Sequence, residues 1–354
     1  MSSTWVKTAI EKISADFNRS SDTHLRQFHF PALPDITLYF KDESTHVTGS
    51  LKHRLARSLF LYGLCNGKIN KNTPIIEASS GSTAVSEAYY AQLLGLRFIA
   101  VMSKSTSCEK IRRIKFYGGE CEFVDDPKED CSRAKALANE LNGYFMDQFT
   151  FAERATDWRG NNNIAESIFS QMSQEPYAEP HWIVCGAGTG GTSATMGRYV
   201  HYRGKKTQLC VVDPMHSVFY EYYKTGNTKL CLDGGSGVEG IGRPRVPHSF
   251  IPSIIDRMIQ VPNHISYAAI HFLLKKLNKQ CGGSTGTNFY GACLLAHEMQ
   301  QRGEKGSIVT LICDDGRLYE ETYYNSQWLA ENQFDLAPAI EKFEQFYQHG
   351  QWFF

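Results

Sequence analysis

Apolar and polar residues alternate over residues 36–40 (Ile-Thr-Leu-Tyr-Phe), the period of a half-buried strand. The rhythm then changes: Leu55, Leu59 and Tyr62 recur at helical spacing, and the Thr48-Gly49-Ser50 turn between the two patterns places Lys52 at the start of the predicted helix. The same switch repeats down the chain. An apolar run at 73–78 passes through a hydroxyl-rich turn into a helix at 84–94, and a strand at 97–102 precedes a helix at 107–117. A run at 181–185 enters a glycine turn and a further helix, and 307–312 reads as the last strand. Strands alternating with helices predict a parallel sheet with right-handed crossovers. A helical pattern at 5–17 and a Pro-punctuated approach (Pro31, Pro34) come first. An amphipathic helix within 335–354 (Leu336, Ile340, Phe343, Tyr347) comes last, and its Trp352-Phe353-Phe354 tail needs burial.

Composition narrows the partners more than the fold. At 354 residues and 42% hydrophobic, the chain can build two domains around one cleft. Lys plus Arg equals Asp plus Glu at 37 each, so no overall field favours nucleic acid or an anionic membrane, and a small-molecule partner is expected. The ten cysteines include no C-x-x-C pair or metal-like cluster, which predicts reduced thiols and no metal site. The first ten residues lack the pattern of a signal peptide and no apolar run reaches membrane-spanning length, so a cytoplasmic protein is expected.

Three stretches carry candidate chemistry. Lys52, near the positive end of a helix and close to Arg54, is a candidate neutral amine able to form a Schiff base; the alternative is a solvated first-turn lysine. Ser79, Ser80, Gly81, Ser82 and Thr83 lead into a helix, where amide and hydroxyl groups form an anion cradle or, more plainly, a Ser-rich cap. Gly186, Gly188 and Gly191 follow a strand as G-x-G-x-x-G, with Asp213 about twenty residues on, so a nicotinamide-dependent dehydrogenase is a rival reading.

Lys41, Glu43, Thr48, Gly49, Ser50, Lys52 and Arg54 resemble, in register, the lysine motif of the cysteine synthase and cystathionine β-synthase family, fold type II enzymes that use pyridoxal 5′-phosphate (PLP); His46, Val47 and His53 depart from it. The 79–83 turn is similar to that family's substrate-carboxylate loop, with Ser82 where the family has an asparagine that contacts the cofactor's 3′-oxygen. Glu109 to Arg112 with Tyr117-Gly118 resemble a scaffold helix and turn. Asp147-Gln148-Phe149 match the family, but its following Asn-Pro-Ala-Asn is replaced by Phe151 to Arg154. Gly188-Thr189-Gly190-Gly191-Thr192 resemble its phosphate loop, Gly237 to Gly242 a loop beside its active site, and Cys281 to Thr287 the element that sets Ser284 against the pyridine nitrogen.

The resemblance covers about residues 35–320. It implies an α/β fold type II (tryptophan synthase β-like) enzyme with two open twisted parallel-sheet domains and the active site in the cleft between them. The expected divisions are an N-terminal arm and strand packing on the large domain (1–46), a small mobile domain (47–160), a large domain (161–330) and a C-terminal helical tail (331–354). It also implies a homodimer. PLP would be bound by Lys52, Ser82, Gly188, Thr189, Gly190, Gly191, Thr192 and Ser284, and an amino-acid substrate by Ser79, Ser80, Gly81, Thr83 and Gln148, with Lys52 catalytic. Two outcomes follow from one chemistry: β-elimination on L-cysteine, releasing hydrogen sulfide, pyruvate and ammonia, or β-replacement on O-acetylserine by a cysteine synthase. Ser82, the 77–87 stretch and Arg243-Pro244-Arg245 look more like the bacterial L-cysteine desulfhydrase branch, so elimination is the expectation.

Overall fold

The computed structural model describes residues 2–354. In chain order the elements are α1 (Ser2–Arg19), β1 (His24–His29), β2 (Ile36–Asp42), α2 (Lys52–Cys65), β3 (Ile75–Ala78), α3 (Ser82–Leu94), β4 (Phe98–Ser103), α4 (Cys108–Phe116), β5 (Glu120–Val124), α5 (Asp130–Glu140), β6 (Tyr144–Phe145) and α6 (Gln148–Ala155). There follow α7 (Ile164–Met172), β7 (Trp182–Gly186), α8 (Gly191–Tyr202), β8 (Gln208–Pro214), α9 (Phe219–Thr225), β9 (Arg257–Val261), α10 (Asn263–Leu277), α11 (Gly283–Gln301), β10 (Gly306–Ile312), α12 (Ser326–Glu331) and α13 (Ala337–His349).

They form two compact units, residues 1–22 with 46–157, and residues 23–45 with 158–354. The first is built on a four-stranded sheet ordered β5-β4-β3-β6, parallel throughout. Both of its faces are covered, which is why β3 and β4 read as continuous apolar runs. Ile75, Phe98 and Ala100 face a core shared with Ala9 and Ile13 of α1 and with residues of α2 and α3. Ile76, Ile99 and Val101 face the core that α5 closes with Ala134, Leu137 and Ala138.

The second unit holds a six-stranded sheet ordered β1-β2-β10-β7-β8-β9. β1 pairs antiparallel with β2 and all other pairs are parallel. The expected parallel α/β architecture is therefore present in both units. Its main departure is at the N-terminus. The stretch 1–46, expected to act as one arm on the large domain, is divided: α1 packs on the first unit's core, while β1 and β2 join the second unit's sheet. The amphipathic face of α1 specifies burial but not the sheet it covers.

The buried polar residues of β2 explain part of the lysine motif. Lys41 is fully buried and donates to the Thr23 carbonyl and to Gln171 Oε1, each at 2.7 Å. Glu43 accepts from Thr23 Oγ1 at 2.7 Å, and Asp42 is ion-paired with Arg26 at 2.7 Å. These residues hold the second unit together, whereas Lys52 stands in the first. At the C-terminus, Trp352 and Phe354 pack on Tyr290, Phe343 and Phe346, as the tail requires; Phe353 is 55% exposed.

Candidate active site

In open parallel sheets the strands' carboxyl ends are where ligands bind. The turn at 79–81 leaves β3, Gln148 follows β6, and the 186–190 turn leaves β7. Ser284 is the second residue of α11, beside the end of β10, where Cys281 bridges to Asp315 and Thr285 Oγ1 accepts from the Cys313 N–H at 3.1 Å.

Within the first unit, Lys52 is the first residue of α2 and half-buried, its N–H donating to Ser50 Oγ at 3.2 Å. Arg54 is ion-paired with Asp22 at 3.0 Å, which blunts the field it was expected to exert on Lys52. His53, a departure from the family pattern, is part of the core: its ring nitrogens lie 3.2 Å from Thr48 Oγ1 and 2.9 Å from the Tyr90 hydroxyl, and it stacks on Tyr90. The hydroxyl-rich turn opens α3 at Ser82 rather than at 84, with Gly81 as the cap residue and no side-chain cap. Ser79 Oγ accepts from the Gly81 N–H at 3.2 Å, and buried Thr83 donates to Gln148 Oε1 at 2.9 Å. Thr83 and Gln148, 65 positions apart, are thus brought into direct contact. The hydroxyls of Ser80 and Ser82 have no hydrogen-bond partner among the described residues.

Behind this turn lie two acids whose meeting the sequence does not announce. Glu77 and Glu87 are both fully buried. Glu77 accepts from the N–H of Ala78 at 2.7 Å and of Gln148 at 3.1 Å. Burial pushes its carboxyl up to about 8, against the pull of those two N–H bonds. Glu87 is pushed well up by burial first, then by the charge of Glu77 and the hydrogen bond with it.

Within the second unit, Gly188 and Thr189 precede Gly190, which caps α8 in the left-handed conformation at φ +86°. A Cβ at Gly190 would lie 2.7 Å from Phe250 Cα and from the Ser249 carbonyl oxygen, so only glycine fits. Ser249 Oγ donates to the Thr189 carbonyl, and Thr189 Oγ1 accepts from the Gly191 N–H at 3.3 Å. No side chain caps α8 or α11. The hydroxyls of Thr192 and of Ser284, the latter 2% exposed, have no hydrogen-bond partner among the described residues. Uncapped N–H groups at a helix's positive end, with unspent hydroxyls beside them, are the donor chemistry a phosphate needs, and a neutral hydroxyl suits an unprotonated ring nitrogen. The residues present therefore fit PLP.

They do not fit the dinucleotide reading. Asp213 is fully buried and one of its carboxyl oxygens accepts from the Tyr220 N–H at 3.0 Å; its enclosure leaves it closed to a ribose. Burial pushes that carboxyl up to about 7.

Comparison with known proteins agrees. Residues 21–314 match the pyridoxal-phosphate dependent enzyme family. The chain is 52% identical over 356 residues to L-cysteine desulfhydrase Cds1 of Mycobacterium tuberculosis, covering 99% of this chain and 97% of that one. It is 28% identical to cysteine synthase B of Campylobacter jejuni, covering 88% and 97%. Among solved structures, the O-acetylserine dependent cystathionine β-synthase of Helicobacter pylori superposes with a TM-score of 0.74 at 24% identity, covering 89% of this chain and 97% of that one. A hydrogen sulfide-producing enzyme of Fusobacterium nucleatum does so at 0.72 and 22%, covering 88% and 98%; these two likenesses show the fold. The family match spans most of the chain and the site's donors fit its cofactor: the chain belongs to the pyridoxal-phosphate dependent enzymes, with PLP as its cofactor.

Proposed function

We propose that the protein is an L-cysteine desulfhydrase, converting L-cysteine and water to hydrogen sulfide, pyruvate and ammonia. The observation that carries this reading is the 52% identity, over nearly the whole of both chains, to a desulfhydrase. The site chemistry supports it. PLP, when bound, supplies an electron sink for the substrate's α-carbon.

The chain's own residues do the rest. The Lys52 amine would hold PLP in place and, when freed by the substrate, would take the α-proton as general base. Ser79, Ser80, Gly81 and Thr83, with Gln148, receive the substrate's α-carboxylate at the positive end of α3. Gly188, Thr189, Gly190, Gly191 and Thr192 hold the phosphate at the start of α8 by main-chain N–H and hydroxyl donors. Ser284 would meet the ring nitrogen with a neutral hydroxyl, which cannot stabilise a protonated ring as a carboxylate would and so would favour prompt loss of the β-substituent. Ser82, a hydroxyl in place of an amide, would hold the cofactor's 3′-oxygen over a shorter reach and leave room for water.

The likeness to cysteine synthase B keeps β-replacement on O-acetylserine as the second reading. Product analysis separates the two. The holoenzyme with L-cysteine alone releases sulfide and pyruvate in equal amounts; faster formation of cysteine from O-acetylserine and sulfide would identify a synthase. A cytoplasmic homodimer is part of the proposal, on the family resemblance. No helix among the described residues is long and apolar enough to cross a membrane. Light scattering at micromolar concentration tests the dimer, a monomer mass contradicting it.

A further inference from the structure

Glu77 is the penultimate residue of β3, an inner strand of the first unit's sheet, and Glu87 lies one turn into the helix that follows, yet both are wholly enclosed. Among the described residues no cation acts on either. The titratable groups facing them are Asp147 ahead of α6, Asp130 at the start of α5 and Tyr144 on β6, which in turn faces Tyr62 of α2; β4 contributes none. Among the described residues neither oxygen of Glu87 has an N–H or O–H donor, and the group that acts on it is the Glu77 carboxyl. Two carboxylates cannot bond each other; a carboxylic acid and a carboxylate can.

The pair closes a ring of contacts. Glu77 accepts from the Gln148 N–H, the Gln148 side chain accepts from Thr83, and Thr83 lies one turn before Glu87 on α3. Thr83 and Gln148 are both residues assigned above to the substrate's carboxylate.

We propose that Glu87 is a positioning residue for that carboxylate loop: one proton held between the Glu87 and Glu77 carboxyls ties α3 to the main chain of Gln148 and so sets Thr83 and Gln148 for the substrate. The role rests on the assignment of the 79–83 turn to the α-carboxylate. The proton also removes one negative charge from behind a loop that receives an anion. Burial supports its retention at neutral pH, since it pushes both carboxyls well upward. When the pair loses that proton in the alkaline range, anion binding weakens.

The test uses holoenzyme variants Glu87→Gln, which keeps a donor toward Glu77, and Glu87→Leu, which fills similar space without one. L-Alanine carries the α-carboxylate but no leaving group, so its Kd, followed by the cofactor's absorbance, reads the loop whatever reaction the enzyme prefers. Losing a hydrogen bond to a charged group corresponds to a factor of about 10 or more, so Glu87→Leu should raise the Kd about tenfold at pH 7 with PLP content unchanged. Glu87→Gln should bind within about threefold of the parent and lose the parent's alkaline rise in Kd. Infrared difference spectra should show a buried protonated carboxyl in the parent that the Gln variant lacks. An unchanged Kd in Glu87→Leu, an alkaline rise retained in Glu87→Gln, or no protonated carboxyl in the parent would each overturn the proposal. So would a parallel loss of binding, PLP content and thermal stability in both variants, which marks a purely structural pair. Should the parent release no sulfide from L-cysteine, the proposed reaction fails while these binding arms still decide the role of Glu87.

Discussion

Gly190→Ala tests the proposed phosphate loop at the point where its geometry is most tightly fixed. Gly190 has φ +86°, a conformation that costs an L-residue about 1–2 kcal/mol. An added Cβ would also meet Phe250 Cα and the Ser249 carbonyl oxygen at 2.7 Å. Those are main-chain atoms, unable to swing aside, and overpacking of this kind costs about 1–3 kcal/mol. Together the two effects come to about 2–5 kcal/mol. The cheapest relief is to lift residues 189–191 off Ser249 and Phe250, which breaks the Ser249 hydroxyl's bond to the Thr189 carbonyl and disperses the N–H groups aimed at the phosphate. If the whole strain is relieved this way, PLP affinity falls by a factor of about 30 to a few thousand. Gly204→Ala is the control: it has φ +59° and open space around an added Cβ, so it carries the backbone strain alone. Equilibrium titration of the apoprotein with PLP, followed by absorbance, reads both. Wild-type affinity in a folded Gly190→Ala protein would refute the reasoning, as would equal loss in Gly204→Ala.

Two further outcomes follow. Ser82→Asn, putting an amide at the position proposed to hold the cofactor's 3′-oxygen, should lower sulfide and pyruvate release from L-cysteine and raise cysteine formation from O-acetylserine and sulfide. A transition-state change of about 1.4 kcal/mol gives a tenfold shift in that ratio, and an unmoved ratio would remove residue 82 from the branch point. Asp213→Asn tests a buried acid. Native Asp213 keeps a proton up to about pH 7 that the unfolded chain releases near its ordinary value of 3.8, so its contribution to stability is full below about pH 4 and is lost as pH rises through about 7. The variant's unfolding midpoint should fall less between pH 4 and 7 than the parent's, and parallel curves would contradict the protonated state.

The parts of the site that were legible in the sequence are those made by local chemistry. A glycine or hydroxyl turn between a strand and a helix dictates where the main chain turns and which N–H groups it exposes, so the 79–83 and 188–192 turns lie at strand ends as expected. What was not legible depends on which distant segments meet. Nothing in the amphipathic pattern of α1 says that Ala9 and Ile13 cover the first unit's sheet. Asp213 stands at the spacing of a ribose ligand, and only its enclosure excludes that use. Lys41 and Glu43 match a cofactor motif in register but are consumed by Thr23 and Gln171. Glu77 and Glu87, ten positions apart, meet because the chain reverses from β3 into α3.

The most direct measurement is to reduce the PLP-loaded protein with borohydride, digest it, and locate the cofactor's mass by peptide sequencing. The account predicts a single modified residue, Lys52, and no fixed label in Lys52→Ala protein whose circular dichroism matches the parent. Label on any other lysine, or a Lys52→Ala protein that still releases sulfide from L-cysteine, would contradict it.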